Sequence, residues 1–172
     1  MSIWWSLHLR REAASVPLAR HLLLGAMETA GVDPDVSFDL SVALTEACAN
    51  AVEHGGAGAD GGGGWGTADA GDSAPGADGQ AAEAPGAYRV TAYLDGERCR
   101  IEVADSGPGF PARRVLRRPA PAPAPTCENG RGLGLIEQLA DHVHFRNKPG
   151  HGAVVSFDKI LKWREDALLR AM

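Results

Sequence analysis

The sequence predicts an α+β fold, a two-layer sandwich with a mostly antiparallel sheet and helices on one face. Three observations predict it. Two segments carry helix start and stop signals around apolar residues at helical spacing. Two later segments alternate as paired strands about tight turns. The resulting order of elements, strand, two helices, hairpin, helix, hairpin, puts no helix between strands in the regular alternation that a parallel sheet needs. The chain has 172 residues, enough for one domain with a proper core.

Taken in order, "IWWSLHLR" has the bulky alternation of a strand. "SVPLARHLLLGAMETAG" reads as a helix, with Ser15 as N-cap, Pro17 in the first turn and Gly31 as the stop. "DPDVSFDLSVALTEACANAVEHG" repeats that grammar, with Asp33 as cap, Pro34 at the first position and Gly55 at the end. "AYRVTAYLDGERCRIEVADSG" reads as two strands joined at Asp95-Gly96. "GLGLIEQLAD" is a short helix entered through glycines. "HVHFRNKPGHGAVVSFDKI" is a second hairpin about Asn147 to Gly152, and "LKWREDALLRAM" fits a terminal helix.

Two stretches interrupt this pattern. Residues 55–86 are almost all Gly, Ala, Asp, Ser and Pro, with Trp65 the one large apolar residue. Such a segment cannot bury enough surface to offset its ordering entropy, so it reads as a disordered acidic insertion. Residues 111–129 hold "ARRVLRR" and an alternating Pro-Ala run that favours extended chain and excludes helix.

Charge and composition exclude several classes. The formal net charge is -5, and five acids with no Lys or Arg lie in residues 55–86. Without them 17 acids face 17 bases, so no basic footprint for nucleic acid exists. No apolar run approaches the ~20 residues that span a bilayer, and the N-terminal stretch lacks the features of a secretory signal. Three cysteines, Cys48, Cys99 and Cys127, fit free thiols in a reducing cytoplasm and match no zinc spacing. The expectation is a cytoplasmic protein that touches neither membrane nor nucleic acid directly.

Three short stretches carry chemistry. In "TEACANAVEHG", Glu46 and Asn50 lie one helical turn apart, on the flank of an apolar stripe formed by Leu40, Ala43, Leu44, Ala47 and Ala51. Taken alone, the pair is equally a half-exposed polar edge of an amphipathic helix. In "VADSGPGF", a strand ends in Asp105 and then Gly107, Pro108 and Gly109. The carboxylate suits an exocyclic amine, and the glycines admit close backbone approach or simply turn the chain. In "GRGLGLIEQLAD", Gly130, Gly132 and Gly134 open a helix whose terminal amides, with the charge of Arg131, suit phosphate. This cluster lacks the Lys and Ser/Thr of a Walker loop and follows no strand as a dinucleotide fingerprint would.

Together, Glu-x-x-x-Asn, then Asp-x-Gly-x-Gly, then Gly-x-Gly-x-Gly resemble the N box and the two glycine boxes of one ATP-binding superfamily. It is the superfamily of histidine kinases, Hsp90, gyrase B and MutL (GHKL). "VALTEACANAVEHG" and "ENGRGLGLIEQLAD" look most like the small serine kinases that act as anti-sigma factors, and the related stand-alone ATP-binding regulators. The resemblance covers about Leu7 to Phe157. It implies that Asn50 holds Mg²⁺ bridging the phosphates of ATP, and that Asp105 recognises the adenine amine with Gly107 and Gly109 close by. Gly130, Arg131, Gly132, Leu133 and Gly134 would wrap the phosphates, and Glu46 would take a proton from, or orient, the attacking hydroxyl. That hydroxyl belongs, in such a kinase, to a serine of an anti-anti-sigma protein, and a sigma factor is the second partner. Residues 111–129 would be the ATP lid, although the Pro-Ala run is longer and stiffer than the family pattern. The family also favours a homodimer. A non-catalytic, ATP-dependent binding module is the alternative function.

Other candidates rank lower. His142 and His144 share a strand face with His151 in the next turn, as surface histidines or as metal ligands. His54 fits a helix-end histidine. Trp4 and Trp5 on an edge strand fit an interface or, for one of them, the core.

Overall fold

The computed structural model describes residues 2–54, 86–106, 128–148 and 152–167. The acidic insertion, most of the expected lid, Gly107, Gly109 and the turn at 149–151 lie outside them. Among the described residues eight elements follow one another. They are β1 (Ile3–Arg10), α1 (Ser15–Ala30), α2 (Pro34–His54), β2 (Ala87–Leu94), β3 (Arg98–Asp105), α3 (Glu128–Leu139), β4 (His142–Lys148) and β5 (Gly152–Ile160). The five strands form one antiparallel sheet in the order β1-β2-β3-β5-β4. The α+β sandwich expected from the sequence is the fold observed.

Period-two alternation fixes which face is core. Tyr88, Val90, Ala92 and Leu94 of β2 are buried, as are Cys99, Ile101 and Val103 of β3 and Val155 and Phe157 of β5. They join Leu23 and Met27 of α1 and Leu40, Ala43, Leu44 and Ala47 of α2 in one cluster. Each fully buried Leu, Phe or Met contributes roughly 1.5–3 kcal/mol. The other sheet face is polar. One register row crosses it as Trp4, Tyr93, Arg100, Asp158 and His142.

The ends of α1 and α2 follow the sequence in three places and depart from it in one. Gly31 ends α1 with φ 86, and its N–H and that of Val32 return to Met27 O. Asp33 caps α2, with its Oδ1 accepting the Asp35 N–H at 3.0 Å. Pro34 opens that helix. Ser15, however, is not the cap of α1; Ala14 holds that position, with no side-chain hydrogen bond. The Ser15 hydroxyl instead donates to Glu12 O and meets the Tyr88 hydroxyl, both at 2.7 Å. A buried tyrosine needs a polar partner, and that need outweighs a cap.

Two further expectations are corrected. The first hairpin turns at Gly96-Glu97, with Asp95 N donating to Arg98 O and Asp95 Oδ1 accepting the amides of Glu97 and Arg98 at 2.8 Å. Gly96 has no positive φ, so the Asp95 carboxylate sets this turn instead of a left-handed glycine. The segment after β5 is not a helix up to residue 167. Trp163 bridges to Val32, Asp33 N donates to Lys162 O, and Arg164 N donates to Gly31 O. The α1–α2 corner leaves backbone groups in need of partners, and this segment supplies them as a strap.

Candidate functional site

Helix α2 is the shared wall of the site. Leu40, Ala43, Leu44, Ala47, Cys48 and Ala51 face the core, which leaves Glu46 and Asn50 half-exposed on the flank. A helix that buries this stripe must hold both polar side chains along the boundary between core and solvent. Helix α3 packs beside α2 through Leu133 and Ile136, which are buried. The Leu133 side chain belongs to the core, so only its backbone is offered to a ligand.

Gly132 brings the two helices into register. A Cβ there would lie 2.7 Å from Glu46 Oε2, where only a hydrogen fits. The carboxylate of the first motif therefore rests on the glycine backbone of the third. Nothing lies within 4 Å of a Cβ placed on Gly134. The sequence predicts the helix from Gly132, whereas α3 begins four residues earlier, at Glu128, and takes in Gly130 as well as Gly132 and Gly134. Burial of Leu133 and Ile136, one helical turn apart, carries the helix through them. The first-turn amides, up to Gly130, are those without an intrahelical partner. The side chain of Arg131 lies outside the described residues.

Asp105 ends β3, only 6% exposed, and its Oδ1 accepts the Ala153 N–H of β5 at 3.2 Å. It stands opposite Tyr88 in the sheet register. Tyr88 also neighbours Cys48, the residue midway between Glu46 and Asn50. Burial pushes the Cys48 thiol up to about 12, against the influence of the Tyr88 hydroxyl, which lowers it. Burial raises Tyr88 to about 12 as well. Both groups are neutral and structural at neutral pH.

Sequence reasoning passed over Ala153 and Arg11. The Ala153 amide holds Asp105, and Arg11 donates to the carbonyls of Ala51 and Val52, at 3.2 and 2.8 Å. Each pairing joins positions at least 40 residues apart, and no local pattern reports it.

Among the described residues no three His, Cys, Asp or Glu side chains assemble as a metal cage. A half-exposed carboxamide at Asn50 fits magnesium, which takes few protein ligands and completes its shell from phosphates and water. His142 is exposed, with Nδ1 2.8 Å from Asp158 Oδ1, and His54 sits 3.6 Å from Glu53 at the helix end. His151 lies outside the described residues. Trp4 is 66% exposed, whereas Trp5 packs against the core. No helix among the described residues is long and apolar enough to cross a membrane.

The comparisons with known proteins agree with this fold. The model of a family described as "Histidine kinase-like ATPase domain" matches residues 9–73 and 76–159. No curated protein matches the sequence. Among solved structures, one similar chain contains the RsbU and RsbW domains of Rv1364c from Mycobacterium tuberculosis. It is 18% identical with a TM-score of 0.55, and the alignment covers 92% of this chain and 33% of that one. The present chain thus spans about a third of the length of that solved chain and shares the fold of the matched part.

Proposed function

The chain belongs to the histidine kinase-like ATPase domain family, and from that premise we propose that it binds magnesium-ATP and transfers phosphate to a serine of a partner protein. The partner is an anti-anti-sigma antagonist, and the protein also sequesters a sigma factor. The observation that carries the catalytic reading is the Glu46 carboxylate held one turn from Asn50 and against Gly132. A protein that only binds ATP does not require a carboxylate at that place.

The roles follow from position. Asp105, anchored by Ala153, accepts a hydrogen bond from the adenine amine with its remaining capacity. The amides that open α3 receive the phosphates, with the helix dipole favouring their charge. Asn50 would hold the magnesium ion, which would supply neutralisation of the phosphate charge. Glu46 accepts the proton of the serine hydroxyl as its oxygen bonds to the γ-phosphorus and ADP leaves. Phosphoryl transfer demands mainly positioning and charge stabilisation, which a rigid pair of helices provides.

The Pro-Ala run within residues 111–129 favours a second reading, a nucleotide-gated binding module with no transfer, because a stiff lid closes poorly over phosphates. One experiment separates the two. Transfer from γ-labelled ATP is measured in lysate of the source organism with wild type and Glu46→Gln. A small protein labelled by wild type alone establishes the kinase and identifies its substrate. Equal labelling by both refutes Glu46 as the base. No label, with magnesium-ATP binding demonstrated on the same sample, selects the binding module.

A further inference from the structure

Arg11 is the first residue after β1, in the connection to α1. Its Nη2 donates to Val52 O at 2.8 Å and its Nε to Ala51 O at 3.2 Å. Its backbone N–H donates to Gly86 O at 2.9 Å, where the chain re-enters the sheet. One residue therefore fastens the last turn of α2 to the frame of the sheet.

The place of this fastening matters. The last four carbonyls of a helix have no intrahelical donor. In α2, whose last helical residue is His54, these are the carbonyls from Val52 onward. Asn50 thus sits immediately before a turn that would fray. Arg11 takes the carbonyls of Ala51 and Val52, the two that follow Asn50, in a planar fork and adds a positive charge at the negative end of the helix.

We propose that Arg11 is a positioning residue for Asn50: it fixes the terminal turn of α2 so that the carboxamide is preorganised for a divalent cation. This rests on the magnesium-ATP reading given above. A lysine cannot replace it fully, because a single ammonium does not reproduce two donors in one plane.

The test measures ATP affinity of the full chain by calorimetry, in magnesium and in EDTA. The ratio of the two is the magnesium enhancement. Arg11→Ala is expected to reduce that enhancement about fivefold, the size of a lost hydrogen-bonded cap, with affinity in EDTA changed less than about twofold. Arg11→Lys recovers part of the loss, and carries the same readout where the alanine variant does not fold. In the Asn50→Ala background, Arg11→Ala removes no further enhancement, since the ligand it positions is gone. An unchanged enhancement in folded Arg11→Ala protein overturns the inference. So does an equal loss in EDTA, which marks general loosening or direct nucleotide contact, and so do additive losses in the double variant. Wild type that binds no magnesium-ATP overturns the functional reading and this inference with it. Wild type that binds normally beside an indifferent Arg11→Ala protein overturns the inference alone.

Discussion

Gly132→Ala tests the central contact of the site with one methyl group. The new Cβ would meet Glu46 Oε2 at 2.7 Å, against an ordinary contact of 3.4 Å or more, so the oxygen retreats by about 0.7 Å. The obstructing atom is the end of a half-exposed side chain, which can swing aside. An off-rotamer Glu46 costs about 0.5–1.5 kcal/mol. Alanine in place of glycine in a helix interior returns about 1 kcal/mol. The two nearly cancel, so global stability in urea should move by less than about 1 kcal/mol. The catalysis proposed above has no such compensation. A misplacement approaching 1 Å at a catalytic group costs about 10²-fold. The expected outcome is a protein as stable as wild type, with phosphate transfer reduced about a hundredfold. Transfer at the wild-type rate would refute the placement of Glu46. A stability loss above about 2 kcal/mol would show that the contact is structural packing instead.

Further expectations follow from the same structure. Asp105→Asn should abolish measurable ATP binding by calorimetry while melting shows a cost of about 1 kcal/mol, because the carboxamide oxygen can still accept the Ala153 N–H. Gly31→Ala should destabilise by more than about 1–2 kcal/mol, the strain of a left-handed alanine, since its Cβ would also meet the Ala167 backbone at 2.7 Å. Burial raises Cys48 and Cys99 to about 12, so their folded forms stay protonated where unfolded thiols ionise. Stability should therefore be level below the unfolded thiol value of about 9 and fall as pH rises from there toward 12, by up to about 1.4 kcal/mol per unit for each thiol. Neither thiol should react with a disulfide reagent at pH 8 until the protein unfolds.

Local signals were legible in the sequence wherever the physical cause was itself local. Gly31, Asp33 and Pro34 announced helix ends because a cap is a contact between near neighbours. The alternation in β2 and β3 announced the core face for the same reason. The ordered motifs placed Glu46, Asn50 and Gly132 in one site, and the packing of Gly132 on Glu46 brings two of them into contact. What stayed hidden depended on distant partners. Ser15 carries every local mark of a cap, yet Tyr88, 73 residues on, claims its hydroxyl. Residues 161–167 carry helix-forming composition, yet the α1–α2 corner claims their backbone. Arg11 and Ala153 act on elements that the chain reaches only much later.

The strap and the strand order together constrain how the molecule is made. β5 lies between β3 and β4, and it is the last in sequence of the five described strands. During synthesis β1, β2 and β3 can pair as they emerge, but β4 has no neighbour in the sheet until β5 follows it. The strap then joins residues 31–33 to 162–164, a separation of about 130 residues. Contacts so distant in sequence form slowly, because chain entropy is lost before they reward it. A ribosome-bound chain that stops short of residue 152 therefore holds both polar residues of α2 in a half-built sheet, with the β3 edge open and Asp105 lacking its Ala153 partner. The candidate site is complete only once residues 152–160 have emerged, and until then the exposed β3 edge is the surface on which misassembly would begin.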